Sequence, residues 1–266
     1  MIQFNIHRFG KLARWSLTKD RRHYIKSFLQ VLVIMLLIFL FFTEMVNTNP
    51  VPKPQYNTCC MAVMCVFGVT LIMGPSFMFY SMEGKHDMQS LMILPASNFE
   101  KYLMRYATWI IMVPLYVVAI SAADLMQFLF HWVLGHDYGQ FVIANMSDTL
   151  STTFKEENAS PNAFRIWDCV IVICLWFHSV FALGATFFRS RKFNGVLSML
   201  VIILIGTLIS WLAPDQSALQ FPYGVESSTR AFVSGNVLYI SWILLNFWLS
   251  YRLFCRTQVI GKFVNL

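Results

Sequence analysis

Two ionisable side chains lie within long apolar stretches of the sequence and are its first candidates for chemistry. They are His178, near the middle of one stretch, and Asp124, towards the end of another. Titratable groups inside a membrane are costly, and those that persist there commonly mark a substrate, ion or proton pathway. We therefore predict that both residues line a pathway. The alternatives are a neutral His178 imidazole bonded to a neighbouring helix, and solvation of Asp124 at the membrane surface.

The motifs of common nucleotide-binding and hydrolytic sites are absent from the sequence. The phosphate-binding pattern G-x-x-x-x-G-K-[ST] does not occur, since Gly84-Lys85 is followed by His86,. The patterns H-E-x-x-H and G-x-S-x-G are also missing. The six cysteines lack metal-ligand spacing, and they resemble small buried apolar residues,. We predict that this chain is not an enzyme and binds no metal or cofactor.

The composition indicates which class of protein must position these side chains. Hydrophobic residues make up 57% of the 266 residues and charged residues only 12%, whereas a soluble domain is about 25% charged. The mean hydropathy is +0.58. These values exclude a disordered chain, a nucleic-acid-binding protein and a soluble enzyme. They predict an all-α, polytopic membrane protein with a single transmembrane domain over residues 1–266.

Six stretches are long and apolar enough to cross a bilayer, which requires about 20 residues as a helix. The predicted spans are Phe28 to Met45, Cys60 to Tyr80, Ala107 to Phe130, Cys169 to Phe188, Val196 to Leu212, and Val237 to Phe254. Gly74-Pro75 and Pro114 interrupt the backbone hydrogen bonding of the second and third spans and should bend them.

The positive charges predict the orientation of these spans. Sixteen Lys and Arg residues lie in the termini and the loops after the second and fourth spans, and four lie on the other side. Loops rich in Lys and Arg stay in the cytoplasm. We therefore expect a multi-pass protein of a cell membrane, such as a bacterial inner membrane, with both termini cytoplasmic. External loops are predicted over residues 131–164, with a short amphipathic helix, and 213–236.

The first 26 residues predict an amphipathic cytoplasmic helix. One face of this helix collects its apolar and small residues, and basic residues dominate the opposite face. The first face holds Phe9, Leu12, Ala13, Ser16 and Leu17, and the second holds Lys11, Arg14, Thr18 and Arg21. This pattern is typical of a helix lying in a membrane interface beside anionic headgroups, although a basic flank of the first span would also carry such charges.

The cytoplasmic loop over residues 82–106 carries the most specific local signals. Asp87 can cap a short helix that ends before Pro95, because the residue preceding proline disfavours helical geometry,. Ser97 and Glu100 then form a capping box that starts the helix entering the third span,. The expected arrangement is a short helix, a proline corner and a long membrane helix.

The stretch from Leu91 to Tyr102, L-M-I-L-P-A-S-N-F-E-K-Y, resembles a leucine–proline–serine segment in permeases of type-2 ABC exporters. The basic amino-terminal helix, the six predicted spans and the cytoplasmic termini also resemble that family. The resemblance implies that the short helix is a coupling helix that docks on an ATPase subunit. Its docking residues would be Gln89, Ser90, Leu91, Met92, Ile93 and Leu94.

The resemblance also implies partners for this chain. ATP and magnesium would bind to a separate ABC ATPase subunit. The permease would form a homodimer, or a heterodimer with a related permease, within the lipid bilayer. Two alternatives remain at this point: a membrane assembly or sensor scaffold, and a membrane-embedded enzyme.

Overall fold

The computed structural model describes residues 4–45, 53–82, 85–135, 140–158, 163–188, 193–212 and 229–256. These residues are overwhelmingly helical, so the predicted all-α class is confirmed for the described chain. The helices are α1 (Ile6–Lys19), α2 (Arg21–Leu40), α3 (Lys53–Met73), α4 (Lys85–Ile93), α5 (Asn98–Val133), α6 (Val142–Asn158), α7 (Ala163–Phe187), α8 (Asn194–Leu212) and α9 (Thr229–Cys255). A π-helical turn at Phe41–Met45 extends α2, and a 3-10 turn at Gly74–Phe77 follows α3.

Five helical segments among the described residues are long and apolar enough to cross a membrane, which agrees with a multi-pass membrane protein. They are Arg21–Thr43, Tyr56–Phe77, Asn98–Val133, Phe164–Phe187 and Thr229–Cys255. The predicted fifth span coincides with α8, whose described apolar part, Asn194–Leu208, is shorter than these five. The count of six spans therefore stays a prediction.

The predicted loops have mixed outcomes. The loop over 131–164 contains α6, so the predicted short helix in it is confirmed. Residues 213–228, most of the second predicted external loop, lie outside the described residues, as do residues 83–84 of the predicted coupling loop. The backbone of α5 remains helical through Pro114, whereas α3 gives way to the 3-10 turn at Gly74-Pro75.

The chain divides into two compact units. Unit 1 comprises Met1–Leu17, Ile72–Trp109 and Asn162–Leu266, and unit 2 comprises Thr18–Leu71 and Ile110–Pro161. Unit 2 has an apolar core formed by α2, α3, α5 and α6. Its buried members are Met35, Phe39, Tyr56, Cys59, Cys60, Val63, Ile120, Ala123 and Val142.

Unit 1 is built around the pair α7–α9, which is joined by polar side chains. The Asn246 amide donates to Ser179 Oγ at 3.0 Å. Ser250 Oγ donates to the carbonyl oxygen of Ala182 at 2.9 Å and accepts from Thr186 Oγ1 at 3.1 Å. It also accepts from the Tyr102 hydroxyl of α5 at 3.0 Å. These bonds satisfy buried hydroxyl groups that would otherwise be costly in an apolar bundle.

Candidate functional site at the start of α5

The amino-terminal end of α5 is fixed by the predicted capping box. The backbone N–H of Ser97 donates to Glu100 Oε2 at 2.7 Å, and the backbone N–H of Glu100 donates to Ser97 Oγ at 3.2 Å. This reciprocal arrangement satisfies two donors at the start of a helix. The prediction of a capping box at this point, and of a helix continuing past Leu103, is confirmed.

The short helix α4 lies where the sequence predicts one, with a different first residue. It begins at Lys85, so Asp87 lies in its first turn instead of capping it, where its charge complements the helix dipole,. It ends at Ile93, two residues before Pro95, as predicted. Lys101 Nζ of α5 donates to the Met92 carbonyl at 2.8 Å and thereby satisfies an otherwise unpaired carbonyl at the end of α4,.

The six predicted docking residues do not share one environment. Leu91 is fully buried inside unit 1, in a cluster with Met78, Met82, Tyr102 and others. Ile93 is 81% exposed, and the other four are partly exposed. The side chain of Leu91 stabilises α4 against its own chain in this conformation, and its docking role stays a prediction. Ile93 presents the accessible apolar surface of the segment.

A buried carboxylate joins α1 to this corner. Glu100 is fully buried and receives Arg8 through two bonds, Nε to Oε2 at 2.9 Å and Nη2 to Oε1 at 2.7 Å. The backbone N–H of Asn5 donates to Oε1 at 2.8 Å. With Ser97, three residues from two segments of the chain therefore donate to one side chain. Two-pronged pairing of arginine with a carboxylate is strong and directional.

Glu100 and Lys101 lie in the polar first turns of α5, ahead of the apolar part that begins at Ala107. The helix has 36 residues, whereas about 20 cross the hydrocarbon core. The hydrogen bond from Arg8 is the main reason that the pKa of Glu100 is lowered to about 2. Burial lowers the pKa of Lys101, although the neighbouring Glu100 opposes the change,.

A second buried charge lies one turn further along α5. Arg105 is fully buried, and its guanidinium donates to Ser16 Oγ of α1 and to Ser81 Oγ, each at 3.2 Å. Leu12 and Ser16 are buried within the protein. The face of α1 that the sequence assigns to the membrane interface is thus at least partly covered by protein, while Lys11 and Arg14 remain exposed.

His178 lies elsewhere in unit 1 and is buried. Its Nε2 atom lies 2.7 Å from the Tyr106 hydroxyl, and its ring packs edge-to-face on Trp109 with ring centres 4.9 Å apart. This arrangement agrees with the alternative of an imidazole bonded to a neighbouring helix. The pathway role of His178 stays a prediction.

Asp124 belongs to unit 2 and is also buried. Its two carboxylate oxygens accept the backbone N–H groups of Val142 and Ile143 at 2.9 and 3.0 Å. These are the first residues of α6, so Asp124 caps that helix from a distant position in the sequence. The alternative of solvation at the surface does not describe this buried side chain, and the pathway role stays a prediction.

Sequence reasoning missed three residues that organise the site, namely Arg8, Arg105 and Tyr106. The partners of all three are remote in sequence, so local patterns do not reveal them. Among the described residues, no three His, Cys, Asp or Glu side chains lie close enough together to hold a metal ion.

No protein-family model matches this chain, and no curated protein or solved structure is significantly similar to it. The basis for a functional proposal is therefore the chemistry and placement of its own residues.

Proposed function

We propose that the protein is the membrane-spanning permease subunit of an ABC exporter. In this proposal it contributes to the substrate pathway, and a separate ATPase subunit drives it. It lies in a cell membrane with both termini cytoplasmic, and it pairs with a second copy or a related permease. ATP and magnesium bind only to the ATPase.

The observation that carries the proposal is the corner between α4 and α5. A nine-residue helix is held against its own chain by buried Leu91, and it presents an apolar side chain, Ile93, that is 81% exposed. Lys101 and the capping box fix the corner that follows. A short helix fixed at the end of a long apolar helix is suited to receiving force from a soluble partner. Burying Ile93 in a partner would contribute roughly 1.5–3 kcal/mol.

The absence of a phosphate-binding motif is consistent with this division of labour, since hydrolysis would belong to the partner,. The strongly basic loops that orient the spans would place α4 in the cytoplasm, where an ATPase can reach it. The resemblance of the segment from Leu91 to Tyr102 to type-2 exporter permeases supports the same proposal.

The deciding experiment is purification of the tagged protein from its native membrane, followed by measurement of bound ATPase and its hydrolysis rate in nanodiscs. The informative variant is Ile93→Asp, which should weaken ATPase binding while the permease remains folded. Phe193→Asp is the matched control, because Phe193 is a 63% exposed apolar residue outside α4. Full binding and coupled hydrolysis by Ile93→Asp would show that α4 is not the coupling helix.

Leu91→Asp tests a different property. Because Leu91 lies in the buried cluster of unit 1, an aspartate there should destabilise the protein and should not act as a selective docking variant.

Failure of any ATPase to purify with the wild-type protein would argue against the proposal as a whole. Activity of the isolated chain without nucleotide would favour a membrane-embedded enzyme. The absence of both a bound ATPase and such an activity would favour a scaffold.

A further inference from the structure

Glu100 is a shared acceptor for donors from two segments, the start of α1 and the corner before α5, which are far apart in sequence. It accepts Asn5 and Arg8 from the start of α1, and Ser97 from the corner before α5. Its side chain is fully buried, so solvent does not compete for these bonds. A buried carboxylate whose acceptor sites are satisfied by charged and backbone donors strongly resists separation of those donors.

The contact also has a defined direction. Arg8 approaches Glu100 with two nitrogens on two oxygens, which fixes both the distance and the rotation of α1. Two turns further along α1, Ser16 receives Arg105 of α5. The helix α1 is therefore held to α5 at two points along its length, whereas the adjoining pair Phe4 and Phe99 is half-exposed and only edge-to-face.

We propose that Glu100 is a positioning residue that makes α1 move together with the corner between α4 and α5. This inference rests on the proposed function, because the force is taken to reach α4 from an ATPase. A displacement of α4 passes to α5 through the chain and the Met92–Lys101 bond. Glu100 passes the same displacement to α1, so that α1 moves as one unit with α4 and the start of α5.

The test places one spectroscopic label on α1 and one at the start of α5 in the intact complex. Suitable sites are Lys11→Cys and Asn98→Cys, both exposed, in a background in which exposed Cys65 and Cys255 are serine. The measured signal is the change in the mobility of each label when ATP and magnesium are added. In the otherwise wild-type complex both labels should respond.

Two variants break the contact from opposite sides. Arg8→Gln removes the ion pair but leaves the capping box intact, so it protects the test against a failure of Glu100→Gln to fold. In both variants the response at residue 11 should fall well below that of the wild type, because one of the two attachments of α1 to α5 is gone, while the response at residue 98 should persist. Arg8→Lys keeps the charge without the two-pronged geometry and should give a response at residue 11 between those of Arg8→Gln and the wild type. Arg14→Gln removes a different, exposed charge of α1, leaves Arg8 and Glu100 unchanged and should change neither response.

Wild-type responses at both labels in Arg8→Gln and Glu100→Gln would overturn the inference, as would equal loss at both labels in Arg8→Gln.

Absence of any bound ATPase would instead be a failure of the proposed function. In that case label mobility without nucleotide decides whether the contact holds α1. Arg8→Gln should raise mobility at residue 11 and leave it unchanged at residue 98. Unchanged mobility at residue 11 would overturn the inference independently of the ATPase.

Discussion

The hydroxyl oxygen of Tyr106 lies 2.7 Å from Nε2 of His178, so a side-chain hydrogen bond joins α5 to α7 inside unit 1. Tyr106 also packs edge-to-face on Trp109. This contact between buried His178 and half-buried Tyr106 accounts for an ionisable residue within an apolar helix without requiring an open pathway at that point. Whether His178 also contacts substrate becomes a question of whether Tyr106 can release it.

We expect Tyr106→Phe and His178→Leu each to lower the free energy of unfolding by about 0.5–1.5 kcal/mol, because each removes the hydrogen bond that joins α5 to α7,. The double variant should cost less than the sum of the two, and thermal unfolding in detergent measures this coupling. Transport by a folded His178→Leu protein then tests the pathway role. Unaltered transport would remove His178 from the candidate pathway residues.

Gly74 has no room for a side chain, whereas Gly68, in the same helical segment, has open space around it. A Cβ atom at Gly74 would lie 2.6 Å from Cε3 of the Trp109 ring, whereas one at Gly68 in the same helical segment would meet nothing within 4 Å. Gly74→Ala should destabilise the protein by about 1–3 kcal/mol through overpacking. Gly68→Ala should be neutral or stabilising, since alanine favours helix. Equal melting temperatures for the two variants would contradict the close packing.

Asp124 should be important for the order of α6. Asp124→Ala removes the acceptor of two backbone N–H groups and should cost about 1–2 kcal/mol. Hydrogen exchange should rise at Val142 and Ile143, which lose their shared acceptor. Asp148→Ala, at an exposed position within α6, is the control. Unchanged exchange at the start of α6 in Asp124→Ala would show that the cap does not hold in the membrane.

The depressed pKa of Glu100 predicts how acid affects the α1–α5 contact. The folded pKa is about 2, below the ordinary value of 4.5, so the ionised carboxylate stabilises the folded state. That contribution is fully present above about pH 4.5 and is lost as the pH falls towards 2. The difference in melting temperature between wild type and Glu100→Gln should therefore shrink with acidification. In the Arg8→Gln background the effect of Glu100→Gln should change less with acidification, and the change should end at a higher pH, because the pKa of Glu100 in the folded state is less depressed,. Identical profiles in the two backgrounds would contradict the role of Arg8.

The charge distribution predicts the topology. A reporter fused after Leu266, or inserted between Arg189 and Asn194, should report a cytoplasmic location. A reporter inserted near Glu156 should report an external one, because four of the twenty Lys and Arg residues lie on that side,. A cytoplasmic signal near Glu156 would refute the six-span topology.

Local signals predicted the elements that depend on nearby residues. The helix class, the capping box at Ser97 and Glu100, and the end of α4 before Pro95 all follow from hydrophobic runs, spacing and proline geometry,. Each requires contacts over only a few residues. Such features are recognisable without knowledge of the tertiary fold.

The long-range contacts were not predictable in this way. Arg8 and Glu100 are separated by 92 positions, and the hydrophobic pattern carries no information on their pairing. Likewise, apolar Leu91 fits a partner's groove and an internal cluster equally well by composition, and only packing distinguishes the two. Neither the pathway role predicted for Asp124 nor its alternative of solvation includes the helix cap, because its backbone partners, 18 and 19 residues away, belong to another helix.

The hydrogen bonds of Ser250 restrict how α9 can be placed along α7. Its hydroxyl donates once and accepts twice, so its bonding capacity is fully used,. A shift of α9 by one residue would turn it by about 100° and move it by about 1.5 Å, and all three bonds would break together. The two helices therefore have a single compatible register. A conformational cycle that preserves these bonds must carry α7 and α9 as one rigid pair, without sliding between them.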